Sequence, residues 1–80
     1  MRKETIALSE VLPGQAARVA EICVEGALRR RLFDLGLIPG TFISCRCVAP
    51  AGSPMAFTVR GAAIALRRCD AAQILAEAGT

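Results

Sequence analysis

The sequence predicts a small, mainly β protein with a single helix inserted after its first strand. Three observations support this fold class: apolar residues alternate at period two in several short runs, one segment changes to helical spacing, and glycine or proline stands between the runs. The chain has 80 residues, 54% of them hydrophobic, which excludes intrinsic disorder and leaves room for only one core. We therefore expect one domain.

We expect that domain to occupy residues 8–77, after a frayed lead-in at 1–7 and before a short tail at 78–80. Its first element is predicted to be a short turn of helix laid on the core. The prediction rests on three apolar residues that stand ahead of a Pro-Gly pair, namely Leu8, Val11 and Leu12.

The first strand is predicted over residues 15–23, and it contains a bulge. Ala17 and Val19 alternate at period two, but the next apolar residue is displaced by one position, to Ile22. An extra residue in one strand of an antiparallel pair produces such a displacement.

One helix is predicted over residues 26–35, because Leu28, Leu32 and Leu35 recur at intervals of four and three and so share one face. Gly36 follows at the position where a left-handed residue ends many helices. We expect the leucine face to pack against residues of the sheet, namely Val19, Ile43, Val59, Ile64 and Leu66.

The chain is predicted to reverse after the helix in an apolar turn. Pro39 presets the first central position of such a turn, and Gly40 tolerates the positive φ of the second. The alternating pattern of residues 41–48 predicts the next strand, and the two prolines and one glycine of residues 49–54 predict a loop.

Two more strands are predicted on either side of the tight turn Arg60-Gly61. The apolar residues that define them, with Phe57 pointing inward, are Phe57 and Val59 before the turn and Ile64 and Leu66 after it.

The last elements are a single helical turn at 71–72, which Asp70 is predicted to cap, and a fifth strand that contains Ile74 and Leu75. Five short strands in so small a chain are most simply arranged as a curled antiparallel barrel, because closure removes the exposed edges of an open sheet. The sequence therefore predicts a small barrel of the Src-homology-3 (SH3) type.

The available residue types make an enzyme unexpected. The chain contains no His, Trp or Tyr, so it lacks the commonest general base and the commonest metal ligand. The carboxylates of Glu21, Glu25, Asp34 and Asp70 are scattered, and no glycine spacing matches a phosphate-binding loop. We predict no catalytic residue, no cofactor and no GTP site.

The four cysteines are predicted to be reduced thiols that hold no metal. Cys45 and Cys47 stand two apart in a predicted strand, which places them on one face about 6.6 Å apart, at the limit for a disulfide. Cys23 and Cys69 are isolated, so the sequence does not provide the two close ligand pairs of a four-cysteine zinc site.

Charge and hydropathy restrict the partner. The net charge is +3, and nine of the ten cations are arginine, a residue suited to carboxylates and phosphates. No apolar run reaches the 18 or so residues that span a bilayer, and the first ten residues lack a secretory apolar region, so we expect a cytoplasmic protein without membrane insertion.

Nucleic acid is the alternative partner. We do not expect it, because only Phe33 and Phe42 remain to stack on bases.

Several short segments stand in a fixed order along the chain. They are Leu8 with Pro13-Gly14, residues 31–41 (Arg-Leu-Phe-Asp-Leu-Gly-Leu-Ile-Pro-Gly-Thr), Ala49-Pro50 with Gly52 and Pro54, residues 59–61 (Val-Arg-Gly), and residues 64–67 (Ile-Ala-Leu-Arg) leading to Ala71, Ala72 and Ile74. Over about residues 8–76 this order resembles the ferrous iron transport protein A (FeoA) family.

The resemblance implies a cytoplasmic accessory protein with an SH3-like barrel that serves FeoB, a membrane ferrous iron transporter and GTPase. Activation, inhibition or assembly of the transporter, and self-association, are all compatible with the sequence. Similar barrels occur as the C-terminal domains of iron-dependent repressors, so a stand-alone relative of that domain is the second interpretation.

A partner-binding surface is predicted on the helix and on the turn after it. At 100° per residue, Arg30 lies opposite the leucine face, and Arg29 shares a flank with Phe33. An exposed ring flanked by arginines is typical of an interface anchor, whereas a ring covered by the stem of Arg29 needs no function. The predicted contact residues are Arg29, Arg30, Phe33, Leu37, Ile38 and Pro39.

Overall fold

The computed structural model describes residues 5–78, which form one antiparallel sheet, two helices and a 3₁₀ turn. In chain order the elements are β1 (Thr5–Ala7), the 3₁₀ turn (Leu8–Glu10), β2 (Ala16–Ile22), α1 (Ala27–Asp34), β3 (Phe42–Val48), β4 (Met55–Val59), β5 (Ala62–Leu66), α2 (Arg68–Ala71) and β6 (Ile74–Ala78).

The described sheet contains six strands in the order β1-β6-β2-β3-β4-β5, and all neighbours are antiparallel. This confirms the predicted fold class, mainly β with one helix inserted after the first long strand. The predicted number of five strands is wrong, because β1 is an additional strand. The 3₁₀ turn that follows β1 packs against α2, which follows β5, so the segments next to the two edge strands contact each other.

The expected frayed lead-in at 1–7 is wrong for residues 5–7. Thr5 pairs with Glu77 and Ala7 with Leu75, so the backbone groups of β1 are satisfied by β6. The expected tail is likewise wrong at Ala78, which ends β6. Residues 1–4 and 79–80 of the lead-in and the tail lie outside the described residues.

A single apolar core joins the strands, α1 and the 3₁₀ turn. As predicted, Leu32 is buried together with Val19, Ile43, Val59 and Leu66, and Phe57 points inward. Leu28 and Ile64 are only half-buried against this core. Two expectations are corrected: Leu35 is half-buried because it caps the end of α1, and Leu12 is 61% exposed although its neighbours Leu8 and Val11 are buried.

Two bulges set which side chains face the core. The bulge predicted in the first strand is present, since the pairing of β2 with β6 shifts between Val19 and Glu21. A second bulge, which the sequence did not indicate, lies in β3 between Cys45 and Cys47. Cys45 is therefore buried while Cys47 is exposed, so the prediction that both lie on one face is wrong.

The predicted turns are confirmed, but the predicted cap is not. The amide of Thr41 donates to the carbonyl oxygen of Ile38 at 3.0 Å across the Pro39-Gly40 turn. Arg60 and Gly61 both have positive φ, as a two-residue hairpin turn requires. Asp70 lies inside α2, whose N-cap residue is Arg67, and its carboxylate accepts a hydrogen bond from Nε of Arg67 at 3.1 Å instead of capping the helix. Among residues 5–78, no helix is long and apolar enough to cross a bilayer.

Candidate protein-binding surface

Helix α1 carries the predicted contact residues because one of its faces is anchored in the core. Leu32 is buried on the inner face, and Leu28 packs beside it. The helix begins after Gly26, whose carbonyl accepts a hydrogen bond from the amide of Arg30. This anchoring leaves the opposite face exposed, and the side chains on it are those of Arg29, Arg30 and Phe33.

Arg29 and Phe33, which we call the helix pair, lie one helical turn apart and contact each other. The guanidinium carbon of Arg29 is 5.0 Å from the centroid of the Phe33 ring, within the range of a cation–π interaction. Nη1 of Arg29 also donates to the carbonyl oxygen of Ile22 at 2.8 Å. The guanidinium is thus held between the end of β2 and the ring, and the ring remains 39% exposed. The predicted partial exposure of Phe33 is confirmed.

A shallow depression of about 330 Å³ lies beside the helix pair and is lined by Gly26, Arg29, Arg30, Phe33 and Asp34. Its lining contains two cations, one carboxylate and one exposed ring. Such a lining suits a partner group that combines a carboxylate with apolar surface.

The turn after α1 only partly fits the prediction. Gly36 has φ +94, and a Cβ atom on it would lie 2.6 Å from Cδ of Arg60, so the Arg60 side chain packs on a position that must lack one. Leu37 is fully buried, because the left-handed cap directs the chain back into the core. The prediction that Leu37 contacts a partner is therefore wrong. Ile38 is 43% exposed and Pro39 is also exposed, so both are accessible.

A second arginine and phenylalanine pair, which we call the sheet pair, was not predicted. Arg18 and Phe42 are direct partners on β2 and β3, and the guanidinium carbon is 4.9 Å from the ring centroid. Phe42 is 58% exposed. The only signal in the sequence is that Phe42 alternates with the buried Ile43, and pairing it with Arg18 requires the strand register.

All four cysteines are free thiols. Burial raises the pKa of the Cys45 thiol. The pKa of the Cys23 thiol is also raised, first by desolvation and then by the carboxylate of Glu21, whereas the nearby guanidinium of Arg29 acts to lower it. Within the described part of the chain, no three Cys, Asp or Glu side chains come together in a group that could hold a metal ion.

The sequence model of the FeoA domain family matches residues 6–78. The chain belongs to the FeoA family. Among solved structures, this FeoA-family chain is similar to the FeoA protein of Chlorobium tepidum, with 35% identity, a TM-score of 0.89, and coverage of 94% of this chain and 71% of that one. No curated protein matches the sequence.

Two further FeoA structures extend the comparison. The FeoA-like protein of Clostridium acetobutylicum is 36% identical, with a TM-score of 0.83 and coverage of 100% of this chain and 92% of that one. The FeoA of Stenotrophomonas maltophilia, solved in complex with zinc, is 27% identical, with a TM-score of 0.72 and coverage of 88% and 87%. That relative is described as a prokaryotic SH3 domain protein, which confirms the predicted SH3-like fold of this FeoA domain.

Proposed function

We propose that this chain is a non-catalytic accessory protein of ferrous iron uptake that binds a FeoB-type membrane transporter, a GTPase, from the cytoplasmic side. Membership of the FeoA family supports the link to iron transport. So does the Stenotrophomonas maltophilia relative, for which a role as an activating factor of ferrous iron transport has been suggested.

The observation that carries the proposal is the helix pair. Phe33 is an exposed ring on a well-anchored helix, and Arg29 is held over it by the carbonyl of Ile22. Aromatic and arginine side chains are the residues that most often dominate the energy of protein interfaces. A preorganised pair also loses little side-chain freedom on binding.

The proposed contact surface extends from the helix pair to its neighbours. Arg30 is exposed beside the same depression, and Ile38 and Pro39 are exposed on the turn that follows the helix. The arginines favour an acidic region of the transporter, because buried or half-buried pairs of guanidinium and carboxylate are bidentate and specific. Leu37 is not part of this surface, since it is fully buried.

Co-purification with a tagged transporter from membranes tests the proposal. We expect Phe33→Ala and Arg29→Glu to weaken the association. Phe33→Ala should leave the melting temperature almost unchanged because the ring is exposed, whereas Arg29→Glu also removes the hydrogen bond to the carbonyl of Ile22 and should lower the melting temperature slightly. The matched controls are Phe42→Ala and Arg18→Glu, which make the same changes in the sheet pair and should leave co-purification intact.

The co-purification results test the proposed transporter binding and the proposed contact surface separately. If the wild-type protein does not co-purify with the transporter, the proposed function is wrong. If it does and the sheet-pair variants lose binding while the helix-pair variants keep it, the function stands and the helix is not the contact surface.

A further inference from the structure

The edge strand β5 lacks the features that usually protect a sheet edge. Within residues 5–78 it is the last strand of the sheet, and its one strand neighbour there is β4. Its sequence, Ala-Ala-Ile-Ala-Leu, contains no charge and no proline, and its register with β4 is regular. Natural proteins commonly block such edges with charges, proline or bulges. The other edge, β1, is only three residues long.

The register shows which backbone groups of β5 face outward. Val59 and Ala62 flank the two-residue turn, so they form a hydrogen-bonded pair. Because the pattern alternates, Ile64 and Leu66 also bond to β4, while the N–H and C=O groups of Ala63 and Ala65 point away from it. Among residues 5–78, no other backbone group forms a hydrogen bond with the N–H and C=O groups of Ala63 and Ala65. Both alanine side chains are exposed and small.

The arginines at the two ends of β5 disfavour a second copy of this strand as the partner and favour a strand with acidic ends. Arg60 precedes β5 in the turn, and Arg67 follows it. An antiparallel second copy of β5 would bring Arg60 of one molecule near Arg67 of the other at both ends, and like charges at opposed positions are destabilising. Arg67 forms an ion pair with Asp70 through Nε at 3.1 Å, which leaves the two terminal nitrogens of its guanidinium available to a second carboxylate.

We propose that the edge of β5 binds an extended segment of an acidic partner protein by strand addition. The partner segment consists of an uncharged run of β-branched residues with a carboxylate at each end. Arg60 and Arg67 lie roughly 20 Å apart along an extended chain, which about seven residues span. The backbone of Ala63 and Ala65 supplies the hydrogen bonds, and the arginines select the charged ends. This proposal does not depend on the helix pair or on the transporter.

A synthetic peptide tests the proposal with the protein as it is. The probe is the capped peptide Glu-Thr-Val-Thr-Val-Thr-Glu, titrated into the isotopically labelled protein. We expect it to slow hydrogen exchange at the amides of Ala63 and Ala65, which become paired on binding. The charge control is the same peptide with lysine at both ends, which should bind at least about fivefold more weakly because it loses two charged contacts.

Methylation of the peptide backbone provides a test that leaves the protein unchanged. In one version the amides at odd positions are N-methylated, and in the other those at even positions. Alternate amides of an added strand face β5, so one version should lose binding by about fivefold or more and the other should keep it. On the protein side, Ala63→Pro removes one outward N–H and should weaken binding, whereas Ala63→Thr retains it and should not.

Three results would overturn the proposal. One is that the two methylated peptides bind with equal affinity, whether both keep it or both lose it. Another is that the lysine peptide binds as tightly as the glutamate peptide. The third is a dimer in sedimentation that Ala63→Pro abolishes, because the occupant of the edge is then a second copy of this chain.

Discussion

The helix pair and the sheet pair have the same chemistry but are held in different ways. In the helix pair, Arg29 and Phe33 lie on one element, and a hydrogen bond from the guanidinium to the carbonyl of Ile22 ties that element to the end of β2. In the sheet pair, Arg18 and Phe42 lie on neighbouring strands, and Arg18 also has Glu77 as its register partner on β6.

The difference shows that exposure alone does not identify a contact surface. Phe42 is the more exposed ring, but it lies on the face of a continuous sheet, and its partner Arg18 has the carboxylate residue Glu77 on its other side. Phe33 is less exposed, but it borders a depression with two arginines. A partner can bury more area in a depression beside an exposed ring than on a flat sheet face.

The largest expected effect is that of Leu32→Ala, which removes the buried anchor beneath the helix pair. We expect the free energy of unfolding to fall by about 2 to 5 kcal/mol, through lost transfer energy and a residual cavity. Denaturant titration measures it. Leu12→Ala is the matched control, because Leu12 is 61% exposed and its loss should cost at most about 0.5 kcal/mol. Equal stabilities of the two variants would show that α1 is not anchored by Leu32.

A smaller effect is expected at two glycines, one after the helix pair and one before Phe42 of the sheet pair. Gly36 ends the helix that carries the helix pair, and Gly40 precedes the strand that carries Phe42; their φ values are +94 and +96. Alanine at either position is strained, by about 1 to 3 kcal/mol. At Gly36 the new Cβ would also meet Cδ of Arg60, whereas nothing lies within 4 Å at Gly40.

Thermal unfolding should therefore show Gly36→Ala to be less stable than Gly40→Ala. Adding Arg60→Gly to Gly36→Ala should remove most of the difference between them, because it removes the contact. If the difference persists without the Arg60 side chain, the close approach is not its cause.

The smallest effect concerns the thiol next to the helix pair. Arg29 acts to lower the pKa of Cys23 against desolvation and Glu21, so Arg29→Gln should raise that pKa further and reduce the thiolate fraction at a given pH. Alkylation of Cys23, followed by mass spectrometry, should become slower in Arg29→Gln and remain unchanged in Arg18→Gln. The buried Cys45 should react only after unfolding. Faster alkylation in Arg29→Gln would contradict this account.

Local patterns in the sequence predict the parts of the fold that depend on local interactions. The spacing of the leucines predicts α1 to within a residue at each end, and the glycine after it takes the expected left-handed conformation. The turns at Pro39-Gly40 and Arg60-Gly61 are predicted by the backbone preferences of two residues each. The exposure of Phe33 follows from helical geometry alone.

Features that depend on distant partners could not be predicted in this way. Strand β1 has three residues, too few for a periodic pattern, and its partner is the last strand. The bulge that separates Cys45 from Cys47 depends on pairing with β4. The burial of Leu37 depends on where the helix cap directs the chain. The sheet pair requires the register of β2 and β3.

The pairing of β1 with β6 has a consequence for the synthesis of the protein. Thr5 cannot meet Glu77 until the ribosome has released almost the whole domain, and β2 also requires β6 as a neighbour. At about 5 to 20 residues per second, the nascent chain therefore spends several seconds with β1 unpaired and with one edge of β2 open. The ordered domain is completed by its last strand, and truncation before Ile74 should leave a chain that chaperones and proteases recognise as unfolded.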